Sequence, residues 1–360
     1  MRHSWKSARD TSRRSTILFP ASDEGRAMTS QVDFGLWYDF RNPEPWQIDF
    51  EQFYSERLDQ IAKAETMGFD SVWLTEHHFC DDGYTPSPLV IHAAIAARTE
   101  RMRLGTNLML LPLADPVRIA EDAATLSLIS GGRFDLGVGI GYRQLEFDQF
   151  GRKISHRPSL VEEGIEIIRR GWSGEAVNFE GKRFAVGDLK ITPQPNRAPK
   201  ILLGGMAPPA IDRAARIADG FLCTGGIGMD TYVERLEANG KTPEQGNIIL
   251  GCWAIIAEDP EAEAERVGDY VLYQSNEYIR WGAFGPPDQT PLFPDARTAI
   301  ENGLYELWDA DTAVEKLSGM IEQYPQISDI HFWAQFPGES VESGDRRMDY
   351  IAEKVLPRLR

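Results

Sequence analysis

Gly68-Phe69-Asp70-Ser71-Val72-Trp73-Leu74-Thr75-Glu76-His77-His78-Phe79 is the stretch from which the fold is read. Ser71 to Leu74 is short, β-branched and aromatic, and follows Gly68, which is the pattern of a fully buried strand. Glu76, His77 and His78 then fall at the strand's C-terminal tip. In a parallel α/β barrel the strand tips are where chemistry is done, and imidazole is the side chain best suited to proton transfer near neutral pH. Two histidines alone fit a polar loop equally well, so the weight comes from what surrounds them.

Outward from this strand the chain alternates between the two hydrophobic periods. Strands are predicted over 32–40, 103–111 (closed by Pro112), 133–140, 200–203, 220–224, 248–257 and 329–336. Helices are predicted over 53–67 with Gly68 as C-cap, 88–98, 116–129 ended by Gly131-Gly132, 158–172, 209–218, 232–239, from 261 to at least 273, 299–308, 313–323 and 341–359. Eight strands separated by helices predict an α/β fold, a (β/α)8 TIM-type barrel with insertions. An open doubly wound sheet would carry a Gly-rich turn after its first strand, where this chain has Trp37 and Tyr38. Two segments break the alternation. Residues 173–199 form an excursion with a hairpin-like run from Val177 to Phe184, and residues 275–298 are aperiodic and long enough for a substrate-covering lid. Residues 31–360 are therefore read as one barrel domain.

Residues 1–30 differ from the rest. Arg2, Lys6, Arg9, Arg13, Arg14 and Arg26 make them basic and Ser/Thr-rich, without the apolar centre of a signal peptide. They are read as a disordered extension, with Met28 as a natural alternative start. The 360-residue chain as a whole carries a formal charge of −17, which argues against non-specific nucleic-acid binding and against anionic membranes. Cys80, Cys223 and Cys252 are widely spaced and contain no CxxC pair, so neither a disulfide framework nor a zinc site is indicated. No apolar run reaches the roughly 18 residues of a membrane helix. A cytoplasmic protein is expected.

Sorted by strand tip, the chemistry-bearing residues converge. Strand one offers Trp37 and Phe40, strand two Glu76, His77 and His78, strand three Thr106 and Asn107. Strand four gives Gly137, Gly139 and Gly141, then Tyr142 and Arg143. Strand eight offers His331, Trp333 and Gln335. The glycine run reads either as close strand packing or as backbone approached by a flat ring. Gly204-Gly205-Met206-Ala207, just before a helix, resembles an anion cradle, with Thr224 at the next tip and Arg157 as countercharge. His77 and His78 point to opposite sides of a strand and would need distant carboxylates to hold a metal, so none is expected. A Ser-His-Asp hydrolase is unsupported because no GxSxG elbow exists. His92 is expected inside its helix packing and His156 at the surface.

Five motifs in order then resemble the luciferase-like flavin-dependent monooxygenases, the superfamily of bacterial luciferase and alkanesulfonate monooxygenase. They are Thr75-Glu76-His77-His78-Phe79, Leu104-Gly105-Thr106-Asn107, Asp115 to Asp122, Ser130-Gly131-Gly132-Arg133-Phe134-Asp135-Leu136-Gly137-Val138-Gly139, and Glu146 to Gly151. The resemblance covers Val32 to Gly226 in one register and the remainder more loosely. It implies reduced FMN at the strand tips, supplied by a separate NAD(P)H-dependent flavin reductase. O2 then oxygenates a small, largely apolar substrate through a flavin hydroperoxide. It also implies proton transfer by His77 with His78 beside it, and a non-prolyl cis peptide at Asn107–Leu108. Thr106, Asn107, Gly139, Tyr142, Arg157, Gly205, Met206, Ala207 and Thr224 would hold the cofactor, with its phosphate at Met206 to Ala210, Arg157 and Thr224. Trp37, Phe40 and Trp333 would line the substrate pocket, and a homodimer is implied.

Departures accompany the resemblance. Ile140 stands where luciferase has a phosphate-binding arginine, and Ala207 and Ala210 replace its serine and threonine. Arg143 and backbone N–H groups would have to compensate. Some relatives use a deazaflavin and transfer hydride without oxygen, which is the alternative reading. A non-catalytic flavin-binding subunit is the third. The twin histidines favour the FMN monooxygenase.

Overall fold

The computed structural model describes residues 32–302 and 305–360. The reading of residues 1–30 lies outside the described residues. The chain runs β1 (Asp33–Tyr38), α1 (Phe50–Met67), β2 (Ser71–Leu74), α2 (Pro88–Ala96), β3 (Arg103–Thr106), α3 (Pro116–Ile129) and β4 (Phe134–Val138). Next come α4 (Gln144–Gln149), α5 (Arg157–Gly171), β5 (Val177–Glu180), β6 (Ala185–Leu189), β7 (Ile201–Gly204), α6 (Pro208–Ile217) and β8 (Gly220–Thr224). The remainder is α7 (Met229–Ala238), β9 (Ile248–Cys252), β10 (Ala254–Ile256), α8 (Pro260–Trp281), α9 (Ala296–Glu301), β11 (Glu306–Trp308), α10 (Ala310–Gln323), β12 (Ile327–Trp333), α11 (Val341–Tyr350) and α12 (Leu356–Leu359).

Eight parallel strands close a barrel in the order β1-β12-β9-β8-β7-β4-β3-β2. Because each strand is buried on both faces, its sequence is continuously apolar rather than alternating: Ser71 to Leu74 and Phe134 to Val138 are buried throughout. The helices seal the outside with small and branched residues, as Ala120, Ala123 and Ala124 do on α3. Local chemistry sets the helix ends. Asp49 accepts from the N–H groups of Glu51 and Gln52 and caps α1, and Gly68 closes it in the left-handed conformation at φ 97°.

Four departures from the expected elements have identifiable causes. The strand predicted over 248–257 is two pieces: the chain leaves the barrel at Trp253, and β10 pairs with β11 in a separate small sheet. Residues 299–308, read as helix, therefore end in a strand, because pairing with β10 buries Trp308 and outweighs helical spacing. The strand predicted over 103–111 stops at Thr106, where the Asn107–Leu108 peptide is cis and the chain crosses the barrel mouth. Residues 275–281, assigned to the lid, form the last turns of α8, and the irregular stretch is confined to 282–295. Asn276 grips that stretch by accepting from Phe293 N at 2.9 Å and donating to Phe293 O at 3.0 Å. The excursion at 173–199 contains the antiparallel hairpin β5–β6.

The glycine run on β4 is explained by packing. A Cβ on Gly137 would lie 1.8 Å from the carbonyl oxygen of Thr106 on β3, and one on Gly139 would lie 2.5 Å from the Leu108 side chain. A backbone carbonyl in a ladder cannot retreat, so Gly137→Ala is expected to cost about 3 kcal/mol. Urea unfolding checks this, and an unchanged midpoint would contradict the close approach.

Candidate active site

At the C-terminal mouth of the barrel lies a cavity of about 390 Å³. His77, Asn107, Tyr142, Arg157, Gly205, Met206, Ala207, Thr224 and Trp37, all marked in the sequence, line it. Thr106, Gly139, His78, Phe40 and Trp333 do not. Thr106 is fully buried, donates to Gly137 O at 2.7 Å and accepts from Gly137 N at 2.9 Å, so its hydroxyl is spent on strand pairing. Gly139 is filled against by Leu108. Phe40 packs into Tyr38, Phe53 and Tyr54 on the α1 side. Trp333 stacks on Trp37 at 4.5 Å and lies behind it.

The two histidines, in the loop that follows Leu74, turn to different surroundings. His78 packs on Phe150 and meets Glu76 Oε1 at 3.1 Å, outside the cavity lining. His77 is 5% exposed and carries a defined tautomer. Its Nδ1 lies 2.8 Å from Glu146 Oε1, an acceptor only, so Nδ1 holds the proton. Its Nε2 is then a lone pair, and Tyr142 Oη donates to it at 3.0 Å. Burial drives the His77 pKa below its ordinary value, with the hydrogen bond to Glu146 opposing. Burial would raise the Glu146 carboxyl, but His77, the N–H of His78 and Arg143 hold it below its ordinary range. The pair is a neutral imidazole oriented by an ionised carboxylate. Sequence reasoning quoted Glu146 only inside a motif and missed this role. A glutamate shortly after a strand tip was the signal.

A second buried chain fixes the cavity floor. Asn107 Nδ2 donates to His331 Nε2 at 2.9 Å, and His331 Nδ1 donates to Asp329 Oδ1 at 3.2 Å. Trp37 Nε1 donates to Asn107 O at 3.1 Å. His331, without a partner in the sequence reading, finds two. His92 is buried as expected, with Nε2 donating to Gly105 O at 3.0 Å; His156 is half-buried rather than at the open surface. The far wall comes from residues whose sequence distance hid them: Trp253, Tyr278, Ala283 and Phe284.

The anion cradle is leaner than expected. Pro208 and Pro209 open α6 and carry no N–H. Ala210 N donates back to Ala207 O at 2.8 Å. The N–H groups of Met206 and Ala207 keep no partner among the described residues. Arg143, expected to assist, is buried and donates to His78 O at 2.7 Å and to Glu146 Oε1 at 3.3 Å. Arg157 is the only cationic side chain lining the cavity among the described residues. No cluster of metal-ligating side chains occurs among the described residues, and no described helix is long and apolar enough to cross a membrane.

The family model described as luciferase-like monooxygenase matches residues 33–315. The chain belongs to this family. It is 35% identical over 331 residues to an F420-dependent glucose-6-phosphate dehydrogenase of Amycolatopsis mediterranei, covering 88% of this chain and 98% of that one. It is 36% identical over 333 residues to the protein of the same name from Microbacterium testaceum, covering 88% and 96%. The fold matches the crystal structure of monooxygenase RslO1 from Streptomyces bottropensis with a TM-score of 0.77 at 25% identity, covering 91% of this chain and all of that one.

The two dehydrogenases overturn the expectation of reduced FMN, O2 and a supplying reductase, because at 35% and 36% identity over 98% and 96% of their length these relatives are F420-dependent. The physical reason for the misreading lies in the twin histidines. They were weighed as a pair, and only one of them faces the cavity. The same fold is shared by proteins of both chemistries.

The His77 assignment is open to a direct test. ¹⁵N NMR of histidine-labelled protein should show a neutral Nδ1–H tautomer that persists below pH 6.5. Glu146→Gln should lower the His77 pKa further and blur the tautomer. A His77 already protonated at pH 6.5 would refute the assignment.

Proposed function

We propose that this protein is an F420-dependent oxidoreductase that interconverts a small organic alcohol and its carbonyl compound. The observation that carries the reading is His77: a neutral base, its tautomer set by buried Glu146, with Nε2 turned to the cavity. The cavity residues fit the cofactor. Asn107 and Leu108 offer a floor for a flat ring system, and Arg157 with the Met206 and Ala207 N–H groups offers a place for a phosphodiester at the opposite side. When bound, F420 supplies a two-electron hydride acceptor or donor, so oxidation of an alcohol leaves one proton for the protein to take.

His77 Nε2 takes that proton, and Glu146 stabilises the imidazolium that results. Tyr142 shares Nε2 in this structure, and burial holds its phenol well above the ordinary tyrosine range, so it stays a donor. It keeps the imidazole aimed and yields its place to a substrate hydroxyl. In the reverse direction His77 returns the proton to the carbonyl oxygen. Ala283 and Phe284, on the loop after α8, add apolar surface to the same cavity.

Anaerobic mixing of the protein and F420 with an alcohol such as 1-phenylethanol should bleach the deazaflavin's visible absorbance without any need for O2. His77→Ala should slow this by about 10²-fold while leaving F420 affinity within about threefold. Turnover that survives the substitution removes His77 from the mechanism.

A further inference from the structure

We propose that the substrate is an uncharged alcohol, or its ketone, carried on an aromatic or alicyclic body, and that sugar phosphates are rejected. The inference rests on the deazaflavin reading for its reaction but on the cavity wall for its substrate class. It separates this chain from the glucose-6-phosphate dehydrogenases to which it is similar.

Charge decides the first half. A phosphorylated substrate and a phosphate-bearing cofactor need two anion sites, and Arg157 is the one cation lining the cavity among the described residues. Arg157 opens α5, after β4, on the side of the Gly205–Ala207 turn. His77 and Glu76 lie at the tip of β2, three strands round the ring from β7, whose tip carries the Gly205–Ala207 turn. At the His77 side the lining charge is the wrong sign for phosphate. Glu76 faces the cavity and is fixed there by Leu110 N, which donates to one of its oxygens, and by His78 on the other. Two arginines lie near and are withdrawn. Arg41 is ion-paired to Asp82 at 2.6 Å and covered by the rings of Tyr84 and Trp281 at 5.2 and 4.9 Å. Arg143 is spent on Glu146 and His78 O.

Hydrogen bonding decides the second half. A sugar brings several hydroxyls, and each left unpaired on burial is costly. Tyr84 and Tyr278 bond each other through their hydroxyls at 3.0 Å, and the Tyr142 hydroxyl sits on the same His77 Nε2 that a substrate hydroxyl would take, so its donor turns to that one hydroxyl. The His77 side thus serves one hydroxyl, at Nε2. Most of the remaining wall is Trp37, Leu108, Leu110, Ile140, Trp253, Ala283 and Phe284, in which Trp253 Nε1 is a buried donor without a partner, so it receives rings and alkyl groups and offers little to a polyol.

Isothermal titration calorimetry compares 1-phenylethanol, acetophenone and glucose 6-phosphate on the full-length protein, with and without F420, alongside turnover of each. The expected result is that 1-phenylethanol binds at least about tenfold more tightly than glucose 6-phosphate and is oxidised with a kcat/KM about 10²-fold higher. Glu76→Gln should narrow the binding difference by about tenfold, since it removes the like charge while keeping a hydrogen-bonding side chain. Glucose 6-phosphate binding or turnover equal to that of the alcohol overturns the proposal, as does a Glu76→Gln protein with unchanged discrimination. Failure of F420 to bind would sink the deazaflavin reading alone, because the cofactor-free titrations still rank the two substrate classes.

Discussion

A carboxylate with no access to water, that of Asp329, organises the active end of this barrel. A buried charge survives only if donors surround it. Asp329 receives Ser71 Oγ at 2.5 Å, Trp73 Nε1 at 2.9 Å and His331 Nδ1 at 3.2 Å. Those donors come from β2 and β12, the two strands that flank β1, so the group ties the seam across which the barrel closes. His331 passes the orientation on to Asn107, and Asn107 forms the cavity floor. Arg103 adds the countercharge below: burial alone would lower its pKa, but Asp135, Asp329 and Asp33 raise it instead. Around this fixed base the loops are free to vary, and the chemistry sits on the loops.

The site combines two buried histidines with opposite duties. His331 takes no part in the cavity and sets a side chain that does. His77 reaches the cavity, and its state is set by Glu146 from α4. In both, a carboxylate holds Nδ1–H and burial keeps the ring neutral. Because the proton position is dictated before a substrate arrives, the imidazole itself is already oriented, and only the Tyr142 hydroxyl gives way. Arg157 and the turn before α6 occupy the other side, which divides the cavity into an anion-tolerant end and an apolar end.

Much of the fold was legible because a strand buried on both faces leaves a short apolar run that flanking glycine and proline punctuate. Ser71–Leu74 and Gly220–Thr224 were read to the residue. The errors fell where tertiary pairing overrode local pattern. The break at Trp253 and the strand Glu306–Trp308 each depend on the other, about 50 residues away, and neither is stable alone. His77, Asn107, Arg157 and the β7 turn were readable from the strand order as residues that share one cavity. Glu146 was visible only as a motif letter, since its meaning is a 2.8 Å contact. Phe40 and Trp333 misled because aromatic character does not say which side of a strand end a ring falls on. The choice between oxygen and hydride chemistry was not legible at all, since proteins of both kinds share the same barrel.

The most direct test of the central claim is equilibrium competition between F420 and FMN for the purified protein, read by the fluorescence of each. The account predicts that F420 binds at least about tenfold more tightly, and that Arg157→Ala weakens it by about 1–3 kcal/mol. Preferential binding of FMN would contradict the account and return the site to oxygen chemistry.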